Sequence, residues 1–394
     1  MYIIIGSAII LALSLGIRHG FGLYLVPMSH EFGWGHNVFS LAIAMQNLLW
    51  GIVQPFTGAF SDKYGAKRTV LIGGVLYSLG LMLMAISSSG IMLNLSLGVI
   101  LGVALSATSF SVLLSAVGRA APVQKRGLAM GMASAAGSLG QFILLPSTLL
   151  LIQNYGWSTS LLISAVLSAL IIPLAFLLKN PQSSKGAASL AKNKQQASLK
   201  EVIGIAIKYK PFLFLSLGFF VCGFQVVFIG IHMPGYLIDN GFDNTTGTIF
   251  LALVGLFNIV GTYLAGWLGD KYSKPHLLMA LYGLRGVAII IFLTMPLTTY
   301  SVYLFGAVMG ILWLSTVPLT NNIVANIFGV RYLTTLVGLV FFTHQVGSFF
   351  GGWLGGVNHD LTGNYTNIWI FAIFLSLVGV AVHFFVNEKA IIHE

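Results

Sequence analysis

Apolar runs of about twenty residues follow one another along almost the whole chain, separated by short clusters of Gly, Pro, Asn and charge. A run of that length crosses a hydrocarbon core of about 30 Å as a helix, since each residue rises about 1.5 Å. The punctuation places spans near 3–27, 37–60, 67–88, 91–117, 125–153 and 157–178, then 211–238, 246–269, 276–295, 299–327, 332–357 and 365–387. The pattern predicts an all-α membrane protein of twelve transmembrane helices. One six-helix bundle occupies 1–178; a second, with a short tail, occupies 211–394. Between them, residues 179–210 hold seven lysines and a single acid, Glu201. That stretch reads as a flexible polybasic linker, or, at its SLKEVIGIAIKY end, as a segment drawn to anionic lipid.

Composition agrees with this reading and narrows the chemistry. Charged residues are 7% and apolar residues 57% of 394, where a soluble domain carries roughly a quarter charged. The first apolar run lacks a basic leader and is too long for a signal peptide, so it is expected to remain in the mature protein. A single cysteine, Cys222, excludes an intrachain disulfide and a cysteine metal cluster. His19, His232 and His344 lie on separate spans without a carboxylate, so no metal site is expected. No deep carboxylate pair, nucleophile elbow or phosphate-binding loop is present. The chain reads as neither an enzyme nor a cofactor protein.

The net charge of +10 is a topology signal. Loops after even-numbered spans, the linker and the tail hold 17 of the 19 lysines and arginines. The loops on the other side hold Glu31, Asp239, Asp243 and Asp360 and no basic residue. The positive-inside rule puts both termini in the cytoplasm, and no nucleic-acid partner is expected. Two basic residues remain, Arg18 and Arg285, and both fall deep within spans.

The two halves repeat. "GAFSDKYGAK" (58–67) returns as "GWLGDKYSKP" (266–275), an offset of 208, and Gly131 and Gly140 are matched by Gly338 and Gly347. A duplicated unit with a site near the midplane is a common transporter plan. The run Gly58-x-x-x-Asp62-Lys63-Tyr64-Gly65-x-Lys67-Arg68 resembles the loop 2–3 signature of the major facilitator superfamily, and its second copy is in register. Within that superfamily, "RGLAMGMASAAGSLGQFILLPSTLLLIQNYGWSTSLLI" (126–163) and "EFGWGHNVFSLAIAMQNLLWG" (31–51) resemble the bacterial monocarboxylate-transporter and oxalate/formate-exchanger branch. That branch usually carries an eighth-span arginine four residues after an Asn or Asp. Here Asn258 matches, but Thr262 stands where the arginine would be. The fourth span has Gly98 near the place of the drug-exporter arginine.

Arg18 is the leading candidate for substrate contact. It lies over ~13 Å from either end of its span at ~1.5 Å per residue, and an unpaired arginine at that depth costs at least ~2.5–3.5 kcal/mol. No acid within a span offers to neutralise it, so an anionic ligand is the natural partner; bonding to helix carbonyls or amides is the alternative. A guanidinium fork suits a carboxylate because two charge-assisted bonds form in parallel. The resemblance implies that the first, fourth, seventh and tenth spans line a central cavity and that the ninth is peripheral. Arg285, in the ninth, is therefore read as structural or as a second anion contact. Tyr24, Gln141, Gln225, His232, Asn258, His344 and Gln345 complete a candidate polar cavity. His232, His344 and His19 are candidate proton carriers. Asp62, Arg68, Arg119 and Asp270 are expected to form a conformational latch, because a carboxylate at a helix end favours the N-terminus of a neighbouring helix.

The expected activity is secondary transport of a small organic anion, a monocarboxylate, coupled to protons, by a monomer in the bacterial inner or plasma membrane. Anion exchange, efflux of amphiphilic compounds and a transport-dead receptor are the alternatives.

Overall fold

Helix ends fall where the sequence supplies turn chemistry, and they give twelve crossings in the order expected. The computed structural model describes residues 2–33, 36–178 and 198–391; of the flexible linker expected at 179–210, residues 179–197 lie outside them, and Leu199–Ala206 form a helix instead. The first half holds α1 (Tyr2–His19), α2 (His36–Tyr64), α3 (Ala66–Ala85), α4 (Gly90–Ala120), α5 (126–155) and α6 (157–177). The second holds α7 (Lys210–Asp239), α8 (Asn244–Lys271), α9 (Lys274–Thr294), α10 (Thr299–Phe328), α11 (Leu333–Thr362) and α12 (Thr366–Phe384). Ten segments among the described residues are long and apolar enough to cross a membrane. One of them, Val123–Leu177, breaks at Gly156, whose φ of 80° suits glycine, and so supplies two crossings. The 29-residue α2 completes the twelve; Gln46, Asn47 and Gln54 dilute its apolar character.

Three spans are less regular than their apolar runs predict. The α-helix of the first span stops at His19, followed by a 3₁₀ turn, Phe21–Tyr24, and a short helix, Leu25–Phe32. Spans α4 and α10 are discontinuous: α4 is extended at Ser109 (φ −108°, ψ −170°), and α10 is interrupted between Leu312 and Thr316. Backbone groups freed in a membrane must find partners, and here they do. Gln54 Nε2 donates to Ser106 O (2.9 Å) beside the α4 break. At the α10 break, Leu314 N donates to Asn258 Oδ1 (3.0 Å), and the Arg285 guanidinium donates to the Leu312 carbonyl (2.6 and 3.1 Å) and the Trp313 carbonyl.

The repeated glycines set how closely helices cross. A Cβ on Gly140 of α5 would fall on the Ala12 carbonyl of α1; one on Gly347 of α11 would fall on the Phe220 carbonyl of α7. Ala12 and Phe220 are related by the 208-residue offset. The second pair joins the halves: a Cβ on Gly131 would lie 2.7 Å from Thr262 O of α8, and one on Gly338 would lie 2.9 Å from Gln54 O of α2. Gln54 and Thr262 are again 208 apart. Small residues permit such backbone approach where lipid supplies no hydrophobic drive between helices. The two halves therefore meet along two related seams, α2 with α11 and α5 with α8.

Candidate functional site

The α-helix of the first span ends one residue past Arg18, which changes the electrostatics of that arginine. Unsatisfied carbonyls at a helix C-terminus carry about half a negative charge and stabilise a cation by roughly 0.3–1 kcal/mol. Arg18 Nη2 donates to Asn47 Oδ1 at 2.6 Å, and its Cζ stands 5.0 Å from the centre of the Trp50 ring. A hydrogen bond to a charged group contributes about 1.5–3 kcal/mol and a cation–π contact about 0.5–2 kcal/mol. Together these match the ~2.5–3.5 kcal/mol penalty of a deep arginine, so the scaffold tolerates the charge. One buried nitrogen is left unmatched: Arg18 Nε has no hydrogen-bond partner among the described residues.

The arginine stands at one end of a polar path between the halves. Asn47 accepts at its backbone carbonyl from Gln345 Nε2 of α11 (3.1 Å). Gln345 Oε1 meets His344 Nδ1 (3.1 Å), and Ser348 Oγ lies 3.4 Å from the same nitrogen. Beneath runs an aromatic layer. Trp50 packs on Phe341 (centroids 5.0 Å), and the His344 ring stacks on Phe341 (5.4 Å) and tilts against Phe219 (4.8 Å). Trp50 is fixed in turn by Nε1 bonds to Gln54 and Ser109. Arg18, Asn47, Gln345 and His344 thus share one connected network over an apolar floor. The sequence reading includes Arg18, His344 and Gln345 but misses Asn47, Trp50 and Phe341. An amide inside an apolar run was the signal available for Asn47.

Other candidates are engaged elsewhere. Tyr24 is buried with its hydroxyl on Ser160 of α6 (2.9 Å). Gln225 donates to Ala372 O (3.0 Å) and Ser376 Oγ (2.7 Å) of α12, and accepts from Arg285 (3.4 Å). His232 donates from Nε2 to Gly352 O (2.8 Å). His19 donates from Nδ1 to Leu15 O of its own helix (2.6 Å). Asn258 donates to Ser138 Oγ of α5 (2.7 Å), so it ties the halves while satisfying the α10 break. Gln141 faces Gly255 on the same α5–α8 seam. Arg285 is fully buried and holds helix ends together.

The latch candidates divide cleanly. Asp62 accepts from Thr334 N (3.2 Å), Thr335 N (2.7 Å) and Thr335 Oγ1 (2.7 Å), and pairs with Arg119 (3.0 Å). Asp270 accepts from Gly127 N (2.7 Å) and Leu128 N (2.8 Å). Each aspartate ends a helix in one half and caps the N-terminus of α11 or α5 in the other, which is where a carboxylate is favoured. Arg68 is exposed at the start of α3 and takes no part in the Asp62 network. These bonds join the two halves on the side of the basic loops.

Comparison with known proteins agrees with this architecture. The Major Facilitator Superfamily model matches residues 5–352. Monocarboxylate transporter 13 of Rattus norvegicus is 28% identical over 391 residues, covering 95% of this chain and 87% of the relative. The uncharacterized MFS-type transporter YcxA of Bacillus subtilis is 26% identical, with 92% and 89% covered. In overall fold the chain is similar to a crystal structure of the E. coli fucose:proton symporter FucP, with a TM-score of 0.73, 16% identity and 98% of both chains covered. A family match over most of the length, on twelve crossings with two related seams, makes this chain a multi-pass membrane transporter that belongs to the Major Facilitator Superfamily.

Proposed function

We propose that the protein moves a small monocarboxylate across the membrane by alternating access, coupled to protons. The observation that carries the reading is Arg18: among the described residues, a deep guanidinium with an unpartnered Nε and no carboxylate paired with it, over an apolar floor of Trp50 and Phe341 for the rest of a small acid. The relatives named as monocarboxylate transporters support the substrate class. Thr262 in place of the eighth-span arginine is consistent with the anion being held from α1, since Thr262 Oγ1 bonds its own helix at Asn258 O (2.8 Å).

With the basic loops in the cytoplasm, the chain lies in the plasma membrane, the bacterial inner membrane, with both termini inside. Asp62 and Asp270 then close the cytoplasmic face, and the anion reaches Arg18 from outside. His344 is the proton carrier this geometry favours, because it joins Arg18 through Gln345 and Asn47, whereas His232 and His19 bond helix carbonyls. A proton carried on the acid itself would serve the same stoichiometry.

The test is uptake by purified protein in liposomes loaded with a pH-sensitive dye, over a panel of short monocarboxylates, their amides and amphiphilic cations. Acidification of the lumen with one or more carboxylates and none of the amides is the expected result. Transport confined to amphiphilic cations would overturn the proposal.

A further inference from the structure

Two neutral side chains hold the Arg18 guanidinium, and both come from one face of α2. Nη2 donates to Asn47 Oδ1 at 2.6 Å, and the Trp50 ring centre lies 5.0 Å from Cζ. Positions three apart on a helix share a face, so α2 offers the cation an amide oxygen and a π-face together. Among the described residues Asn47 Oδ1 is the one hydrogen-bond acceptor of this guanidinium, and none of the ion pairs includes it.

The Asn47 amide has one way round. Nδ2 donates to Ile43 O one turn earlier (3.0 Å), which leaves Oδ1 for the guanidinium, where a donor demands an acceptor. Ile43 O also takes the backbone bond of the helix, so losing Nδ2 does not orphan it. The Asn47 backbone carbonyl accepts from Gln345 Nε2 of α11 (3.1 Å). A new side chain at position 47 therefore leaves that bond between the halves in place and changes what faces Arg18. Asn47 is buried, with 8% of its surface exposed, so water does little to screen a charge there.

The group at this position decides the charge of the site. An amide oxygen accepts a charge-assisted bond and brings no charge of its own. Aspartate has the same shape, but its carboxylate would complete an ion pair with the guanidinium and leave no net charge for a ligand. We propose that Asn47 is the residue that makes the site select an anion: it positions Arg18 and leaves the whole positive charge to the substrate carboxylate. Arg18 makes the contact; Asn47 acts through it. The assignment rests on the monocarboxylate reading above and adds the residue that enforces an acid over its neutral analogue.

The experiment compares the purified full chain carrying Asn47→Asp or Asn47→Leu with wild type. It reads stabilisation against heat by acetate, pyruvate, lactate and benzoate, and by the matching amides. Melting without ligand comes first. Asn47→Asp should melt close to wild type, and Asn47→Leu below it, because the deep cation loses its acceptor. Carboxylate binding should follow a different order. Asn47→Leu should weaken it several-fold through lost positioning. Asn47→Asp should weaken it by roughly ten-fold or more and bind acid no better than amide. A packing role alone would make binding follow melting, with Asn47→Leu the weaker variant, and that order overturns the proposal. So does an Asn47→Asp protein that binds carboxylate as tightly as wild type, an outcome that leaves the monocarboxylate reading standing. A wild type that responds to none of the acids sinks that reading and this assignment together. If Asn47→Leu fails to elute as folded protein, the comparison of Asn47→Asp with wild type decides alone.

Discussion

Arg18 and Arg285 look alike in the sequence, each a lone arginine near the middle of an apolar run, and the structure gives them opposite work. Arg285 spends its donors on Leu312, Trp313 and Gln225 at zero exposure; Arg18 keeps its buried Nε without a partner among the described residues. Depth and the lack of a span carboxylate were legible in the residues. The partners were not. The break that Arg285 caps lies in "LWLST" (312–316), which contains neither Gly nor Pro; Gly310 before it and Pro318 after it, which has no N–H for Leu314 O, were the local signals. Arg285→Gln is expected to leave the two carbonyls short of donors, each at ~1–3 kcal/mol. The purified variant should melt well below wild type, with no rescue by carboxylate. Wild-type melting would return Arg285 to the list of anion contacts.

At the scale of elements, the apolar pattern located every crossing to within a few residues, because about 20 apolar residues leave a chain in lipid no option but a helix. It overestimated the α-helix of the first span, since Gly20 and Gly22 end the regular helix without interrupting the hydrophobicity. Gly131, Gly140, Gly338 and Gly347 were visible as a repeat, and their backbone contacts explain the repeat. Gly140→Val and Gly347→Val should each force α1 from α5 or α7 from α11 and abolish monodisperse protein in size-exclusion chromatography. Gly22→Ala is the internal comparison: nothing lies within 4 Å of its would-be Cβ, so that variant should elute and melt like wild type. A well-folded Gly140→Val would mean that the close crossing is not obligatory.

For the whole molecule, two aspartates 208 residues apart cap helices of the opposite half, the contacts proposed above to close one face. With Cys222 changed to Ser and Ser138→Cys as reporter on the α5–α8 seam, Asp270→Asn should raise labelling from the side of the basic loops. Carboxylate affinity should stay within a few-fold. Unchanged labelling would contradict the latch. The account as a whole turns on Arg18, and ligand-induced thermal stabilisation tests it most directly. Wild type should be stabilised by a transported monocarboxylate and not by its amide. Arg18→Gln should lose that stabilisation while eluting as folded protein, because removing a charge-assisted contact in a desolvated site costs ~2–5 kcal/mol, tens-fold or more in affinity. Arg18→Lys should retain a weakened response, since the charge persists without the fork. A folded Arg18→Gln protein that binds the carboxylate as tightly as wild type would contradict the account.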